Sequence, residues 1–186
     1  MTSREATLAV IGVLESLGIP YMVVGALSSN FYGIAHSTKD ADFVVQLGER
    51  PITDIVRELG PSFVLDPQIT FETATGTTRH IVSIEGLSFQ IEFFRLSEDP
   101  HDQERFRRRV RVQLPEVQAW VLTAEDVIVT KLRWAVYGGR AKDAEDARGV
   151  IAVQHDRIDW PYLRLWCGQH GTLQRLDEIR RSIPPI

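Results

Sequence analysis

Cysteine and long apolar segments are what this sequence of 186 residues has least of. The single cysteine, Cys167, cannot form an internal disulfide and lacks partners for a zinc site, which favours a reducing, cytoplasmic compartment. The longest apolar run near the N-terminus, Leu8–Leu14, falls well short of the roughly 20 residues that a membrane span needs. No signal-peptide pattern accompanies it. We therefore expect a cytoplasmic protein with no membrane partner.

Positive charge is not in excess either. The chain has 21 Lys and Arg residues against 25 Asp and Glu residues, and its net charge is −4. This balance argues against wholesale electrostatic binding to nucleic acid. The hydrophobic share of 44% and the charged share of 25% are ordinary for a folded domain, and no internal repeat is visible. The length suits one compact domain.

The hydrophobic periodicity predicts an α/β (α+β) fold, with a mixed β-sheet flanked by helices and a C-terminal helical portion. We expect a sheet core over residues 1–121 and a helical portion over residues 122–186, packed together as one compact unit. Predicted strands are Tyr21–Val24, Ala41–Leu47, Ser62–Leu65, Ile69–Thr73, Thr78–Ile84, Leu87–Phe94, Val110–Gln113 and Val117–Val121. Predicted helices are Arg4–Leu17, Ala26–Tyr32, Pro51–Leu59, Ala124–Tyr137, Ala141–Val153, Pro161–Gly168 and Leu173–Ile183.

Two aspartates stand at the entry of the second predicted strand. Asp40 and Asp42 flank Ala41, so alternation directs both carboxylates to one face while Ala41, Phe43 and Val45 face the core. Two like charges held this close are costly unless a cation neutralises them. Oxygen ligands suit Mg²⁺ or Mn²⁺, and a metal pair can clamp an in-line phosphoryl displacement. The alternative is a strand end where both aspartates merely face water.

A glycine turn precedes this pair. Gly25 ends the first strand and opens a short helix, which presents backbone N–H groups and the hydroxyl of Ser28 or Ser29 at a helix start. Such a helix start is a natural anion site. From Val23 the chain reads VVGALSSNFYGIAHSTKDADFVV, in which Thr38 begins a T-x-D-x-D pattern.

This segment resembles the nucleotidyltransferase superfamily signature, and within it the minimal AbiEii-like branch of abortive-infection and toxin–antitoxin systems. The resemblance implies that Asp40 and Asp42 bind divalent metal and that the Gly25 turn, with Ser28, Ser29 and Thr38, holds a nucleotide triphosphate. Ala26 departs from the family pattern, in which glycine or serine is usual. His36 stands where relatives often carry arginine, a stronger phosphate partner.

The resemblance also implies a third acidic residue from a later strand, and Glu92 is the candidate. Alternation puts Leu87, Phe89, Ile91 and Phe93 on one face and Glu92 on the other. Glu92 would join Asp40 and Asp42 as a metal ligand, or act as the base toward the acceptor. The alternative is an exposed glutamate on a half-buried sheet.

A lysine lies within or beside the apolar stripe of the helix Ala124–Tyr137. Lys131 follows Val127 by four residues, and Asp143 points inward on the next helix by its spacing from Ala147. Lys131 could extend to solvent, or form a purely structural ion pair with Asp143. The segment AEDVIVTKLRWAVYGGRAKDAEDA also resembles the AbiEii-like branch. That likeness implies that Lys131 contacts phosphate, that Asp143 orients it, and that Arg140 and Lys142 border the pocket.

The function implied by both blocks is transfer of a nucleoside monophosphate from a nucleoside triphosphate to an acceptor hydroxyl. The sequence does not identify the acceptor, so RNA, protein and a small molecule such as an aminoglycoside-like antibiotic all stay open. A toxin role with a cognate antitoxin also stays open. The alternative is a non-catalytic member that binds a nucleotide or a partner. The basic run RFRRRVR, from Arg105 to Arg111, is either a solvated, charge-balanced face or a phosphate-binding strip for RNA. The tryptophans are expected to pack in the core.

Overall fold

The computed structural model describes residues 1–72 and 76–184. Within these ranges lie strands and helices that we number in chain order. The strands are β1 (Tyr21–Val24), β2 (Asp40–Val45), β3 (Phe63–Leu65), β4 (Thr70–Glu72), β5 (Thr77–Ile84), β6 (Leu87–Arg95), β7 (Val110–Gln113) and β8 (Gln118–Val121). The helices are α1 (Ser3–Ser16), α2 (Gly25–Tyr32), α3 (Ile52–Leu59), α4 (Pro100–Arg108), α5 (Ala124–Tyr137), α6 (Ala141–Gln154), α7 (Trp160–Gln169) and α8 (Leu173–Ser182), with a 3₁₀ turn at His155–Arg157.

All strands join one mixed sheet with the order β3-β5-β6-β2-β1-β8-β7, and β4 pairs with β5 beside β3. The β2 strand is antiparallel to β1 and parallel to β6. The register sets Asp42 opposite Val24 on one side and opposite Glu92 on the other. The sheet therefore brings the end of β1, the start of β2 and the middle of β6 to one level.

The two faces of the sheet carry separate hydrophobic clusters, because neighbouring side chains of a strand point to opposite sides. Ala41, Phe43 and Val45 are fully buried on the face that α1 and α3 cover. Met22 and Val44 face the other cluster, which contains the apolar side chains of α5 to α8. The helices after residue 121 thus pack on the sheet face that also carries Asp40 and Asp42. The predicted domain division at residue 121 stays a prediction.

The sequence reading missed helix α4, whose residues it took for a charged surface, and the short 3₁₀ turn at His155–Arg157. Asp99 caps this helix by accepting hydrogen bonds from the backbone N–H groups of His101 and Asp102, and Pro100 stands in its first turn. An Asp-Pro pair is a recognisable helix start. The prediction Ile69–Thr73 corresponds to β4, although Thr73 lies outside the described residues.

The basic run is only partly solvated, because several of its arginines have partners within the fold. Arg105 is buried and forms an ion pair with Asp102. The guanidinium of Arg108 lies 3.6 Å from the centre of the Tyr162 ring, and that of Arg109 lies over Phe106. These arginines therefore have partners inside the fold, although Arg105 also lines a cavity, and a phosphate-binding role of the run stays a prediction. No helix in the described residues is long and apolar enough to cross a membrane.

Candidate active site

A cavity of about 500 Å³ opens beside the start of β2. Strands β2, β5 and β6, the start of α2 and the facing sides of α5 and α6 contribute to its wall. The sequence-predicted residues that line it are Gly25, Thr38, Asp40, Asp42, Glu92, Lys131, Arg140, Lys142 and Asp143. Residues more than a hundred positions apart in the chain are therefore collected around one space.

Gly25 and Asp42 are in unusually close contact at the floor of this cavity. Gly25 has φ +63°, and a Cβ added to it would lie 1.8 Å from Oδ2 of Asp42. Only glycine both adopts this left-handed backbone conformation without strain and fits the space beside Asp42. Ala26, by contrast, has ordinary negative φ in α2, since no residue other than glycine has positive φ in the described chain. Its departure from the family pattern thus causes no backbone strain.

The two aspartates of β2 are held in different ways. Asp40 Oδ1 accepts a 2.6 Å hydrogen bond from the hydroxyl of Thr38, which fixes its orientation. Burial raises the pKa of Asp42 to about 8, and the nearby charges of Asp40 and Glu92 add to the rise, although Lys131 and Arg140 oppose it. A carboxylate this reluctant to ionise gains most from a cation.

The donor set suits one mode of metal binding. Across residues 1–72 and 76–184, no group of three or more His, Cys, Asp or Glu side chains is arranged to hold a metal ion together. Mg²⁺ is commonly held by one or two carboxylates, with water and substrate phosphates completing the octahedron. Asp40 and Asp42, beside an open cavity, fit that mode. The predicted metal role of these residues and of Glu92 stays a prediction.

Glu92 lies beside the pair but already has a partner. It is the register partner of Asp42 on β6, and its Oε2 accepts a 3.0 Å hydrogen bond from Arg79 of β5. Burial raises the pKa of Glu92, and the charge of Arg79 opposes that rise. Arg79 also donates to the hydroxyl of Thr70. The expected neighbourhood of Glu92 and Asp42 is therefore present, and Arg79 holds the glutamate.

Lys131 sits between two carboxylates of α6. Its Nζ lies 2.7 Å from Oδ1 of Asp143 and 2.7 Å from Oδ2 of Asp146. The other oxygen of Asp146 lies 2.9 Å from Nε2 of His36. Burial raises the pKa of Asp146, but the hydrogen bonds and charges of Lys131 and His36 outweigh burial and hold it below its ordinary value. Lys131 is thus anchored to α6 while it lines the cavity.

The two serines of α2 face away from the cavity. The hydroxyl of Ser28 is fully buried and donates to the carbonyl of Val23 at 2.6 Å. The hydroxyl of Ser29 donates to the carbonyl of Ala26 at 3.0 Å. Neither serine is part of the cavity wall. What the turn offers to the cavity is the backbone around Gly25, and a nucleotide contact by either hydroxyl stays a prediction.

Among the comparisons with known proteins, only the comparison with solved structures found similar ones. The chain matches no protein-family model and no curated protein. It superposes on the antibiotic-resistance factor ANT(2'')-Ia in solution with a TM-score of 0.62 at 12% identity, over 97% of this chain and 98% of that one. The fold is that of the nucleotidyltransferases. The predicted fold class is confirmed.

Two further structures share this nucleotidyltransferase fold. An antigenic nucleotidyltransferase-like protein from Paracoccidioides brasiliensis has a TM-score of 0.56 at 14% identity, over 97% of this chain and 94% of that one. ANT(2'')-Ia in complex with adenylyl-2''-tobramycin has a TM-score of 0.56 at 13% identity, over 91% and 98%. At these identities the likeness shows the fold alone, and it does not assign the AbiEii-like branch.

The sequence reading did not propose Arg79 or Trp134 as residues of the cavity wall. Arg79 was overlooked because nothing local on β5 indicates its pairing with Glu92. Asp146 lies outside the cavity wall, and the sequence reading noted it only as the last residue of the R-x-K-D-x-x-D pattern that begins at Arg140, without predicting its ion pair with Lys131. Trp134 was assigned to the core, yet it lines the cavity.

Proposed function

We propose that this protein transfers a nucleoside monophosphate from a nucleoside triphosphate to an acceptor hydroxyl and releases pyrophosphate. The observation that carries the proposal is the floor of the cavity, where Asp40 and Asp42 share one strand face and Gly25 leaves no room for a side chain beside Asp42. This is the arrangement expected for a triphosphate approaching a pair of metal-binding carboxylates. Such catalysis depends on positioning and charge stabilisation more than on covalent chemistry.

Each group of the cavity has a role in this proposal. Bound Mg²⁺ or Mn²⁺ would neutralise charge on the phosphates, and Asp40 and Asp42 would hold it. Thr38 orients Asp40 by its hydrogen bond. The backbone N–H groups after Gly25 would face the phosphates at the start of α2. Lys131, Arg140 and Lys142 would supply positive charge from the opposite wall, and Asp143 would keep Lys131 in place.

Glu92 is the candidate for receiving the proton of the acceptor hydroxyl. Its raised pKa moves it toward the range in which a carboxylate serves as a general base. Its hydrogen bond to Arg79 restrains it at the level of Asp42. An acceptor that enters along β5 and β6 would meet Glu92 before it meets the aspartates.

The acceptor class is the finer part of the proposal. The resemblance to the AbiEii-like branch leaves RNA, protein and a small molecule open as acceptors, and it adds a toxin role with a cognate antitoxin. One protein with the same fold, ANT(2'')-Ia, is described with adenylyl-2''-tobramycin, which makes an aminoglycoside hydroxyl a further acceptor to test. The assay should therefore offer all three kinds of acceptor.

The test is a transfer assay with each labelled nucleoside triphosphate, Mg²⁺, and total RNA, protein lysate or tobramycin as acceptor. We expect label to move to one acceptor class in the wild-type protein. The double variant Asp40→Asn/Asp42→Asn should lose both transfer and metal-dependent nucleotide binding. The control Asp156→Asn, whose carboxylate is exposed, should behave like wild type. Equal nucleotide affinity in wild type and the double variant would reject the carboxylate pair as the metal site.

A second candidate function is nucleotide binding without transfer. The hydrogen bond between Arg79 and Glu92 favours it, because an engaged carboxylate is a weaker base toward an acceptor. This candidate predicts metal-dependent binding of a nucleoside triphosphate with no label on any acceptor. Calorimetry and the transfer assay together separate the two functions.

A further inference from the structure

One tryptophan of the four stands apart from the hydrophobic core. Trp120 packs against the cluster on the α1 face of the sheet, and Trp160 and Trp166 pack against the cluster on the helical face. Trp134, in the last turn of α5, packs against neither cluster in the described part of the chain, and it forms part of the cavity wall. A large half-buried indole on a polar cavity is available to a ligand.

The Arg140 side chain covers this indole from the following turn. Its guanidinium carbon lies 4.6 Å from the centre of the Trp134 ring. The chain reverses between them at Gly138 and Gly139, and Gly139 has φ +62°. A Cβ at Gly138 would lie 2.7 Å from the carbonyl oxygen of Trp134 and 3.4 Å from Cδ of Arg140. The two glycines therefore allow Arg140 to fold back onto the ring.

The position of this Trp134–Arg140 pair relates it to the proposed phosphate site. Trp134 follows Lys131 by three residues, so the two side chains project from the same face of α5 about 4.5 Å apart along its axis. Asp40, Asp42 and Lys131 line the part of the cavity that would take the triphosphate. The indole lies one helical turn beyond Lys131. A nucleotide whose phosphates contact Lys131 could therefore reach the indole with its base.

We propose that the Trp134 ring, backed by Arg140, is the stacking platform for the nucleobase of the bound nucleoside triphosphate. This inference rests on the proposed function and deepens it, because it names the part of the substrate that this wall recognises. A flat indole with a guanidinium over one face offers its other face to a planar aromatic base, which stacks on it better than a puckered sugar does. Stacking tolerates every base, since each has a π-face, and purines offer the larger face. We therefore expect this site to accept all four bases and to bind purines more tightly than pyrimidines.

The experiment compares nucleotides with a ligand that has phosphates but no base. Calorimetry with Mg²⁺ measures the Kd of ATP, GTP, CTP, UTP and inorganic tripolyphosphate for wild type, Trp134→Leu and Trp134→Phe. We expect Trp134→Leu to weaken ATP and GTP about tenfold or more, within the range for loss of one base stack. Tripolyphosphate affinity should stay unchanged, and Trp134→Phe should retain most of the purine affinity.

A matched control exists elsewhere in the fold. Trp160 carries the guanidinium of Arg180 over its ring at 4.2 Å, but it lies outside the cavity and packs on the core. Trp160→Leu removes the same kind of pair, so its effect measures general loss of packing. Melting temperatures of all variants show whether each one is folded at the assay temperature. The control should lower the melting temperature without changing the ratio of ATP affinity to tripolyphosphate affinity.

The outcomes separate this inference from the proposed function. Wild type that binds ATP and tripolyphosphate equally, or Trp134→Leu that binds ATP like wild type, would overturn the base platform and leave the proposed function standing. Trp134→Leu with normal ATP affinity and weakened acceptor binding would assign the wall to the acceptor and overturn the inference. A wild-type protein that binds none of the nucleotides in the presence of Mg²⁺ would overturn both.

Discussion

Gly25 and Asp42 are packed so closely that a Cβ on Gly25 would lie 1.8 Å from Oδ2 of Asp42. They come from adjacent strand ends of β1 and β2, where Asp42 pairs with Val24. The glycine turn and the carboxylate are therefore one structural unit. A side chain added at Gly25 must displace the Asp42 carboxylate.

Gly25→Ala is expected to abolish metal-dependent nucleotide binding and to lower the melting temperature. The new methyl group meets the Asp42 carboxylate, and the backbone strain at positive φ adds about 1–2 kcal/mol. Gly48→Ala is the matched control, because Gly48 has φ +59° and open space around it. The Gly48→Ala variant therefore has the same backbone strain at positive φ, but its new methyl group contacts no other side chain. If both variants lost the same stability and kept nucleotide binding, the close contact would have no role in the site.

The second prediction concerns pH and the metal-free protein. The pKa of Asp42 rises from 3.8 to about 8 in the fold, so the folded protein binds this proton more tightly than the unfolded chain does. Stability in a chelating buffer should consequently fall as the pH rises from about 4 toward 8. The amide side chain of Asp42→Asn cannot ionise, so this variant should lack the part of the pH-dependent loss of stability that is due to Asp42.

Asp42→Asn should then melt about 3–6 °C above wild type at pH 8, and close to wild type at pH 5. This allows about 1.4 kcal/mol per pKa unit, reduced because the largely buried side chain of Asp42 is still partly exposed to solvent. Melting curves at both pH values in chelating buffer provide the measurement. Parallel pH profiles for the two proteins would mean that the Asp42 carboxylate is not destabilised by its surroundings.

Lys131→Met is expected to be destabilising, because the buried Asp143 and Asp146 lose their shared cation and keep Arg140 and His36, respectively, as partners. Breaking such a contact costs about 3–5 kcal/mol, or a fall of about 10 °C in melting temperature. The triple variant Lys131→Met/Asp143→Asn/Asp146→Asn removes all three charges and should regain most of that loss. We expect it to bind nucleoside triphosphates more weakly than wild type. Full nucleotide affinity in the triple variant would assign Lys131 a purely structural role.

Glu92→Gln should separate binding from transfer. The change keeps the shape and the hydrogen bond from Arg79 but removes the group that would accept the acceptor proton, so we expect transfer to fall at least about 100-fold. The nucleotide Kd should change by less than about threefold, since Asp40 and Asp42 remain. Glu85→Gln, an exposed residue in the β5–β6 turn, is the control. Transfer at the wild-type rate in Glu92→Gln would remove Glu92 from the reaction.

Local pattern was enough to predict much of this protein. Strand alternation put Asp40 and Asp42 on one face and Ala41, Phe43 and Val45 on the other, as the structure has them. The Thr123 cap and the helical spacing defined α5 and turned Lys131 toward α6. These features depend on the periods of two and 3.6 residues, which a sequence displays directly.

What the sequence could not supply is which elements become neighbours. Parallel pairing of β6 with β2 brings Glu92 beside Asp42, and pairing of β5 with β6 adds Arg79. Packing of α6 against α5 and α2 joins Asp146 to Lys131 and His36, and the turn after α5 lays Arg140 over Trp134. Residues far apart in the chain meet only after strand order and helix packing are fixed. Local pattern therefore determined the direction of side chains such as those of Asp40, Asp42 and Lys131, and the tertiary structure decided which partners from distant segments they meet.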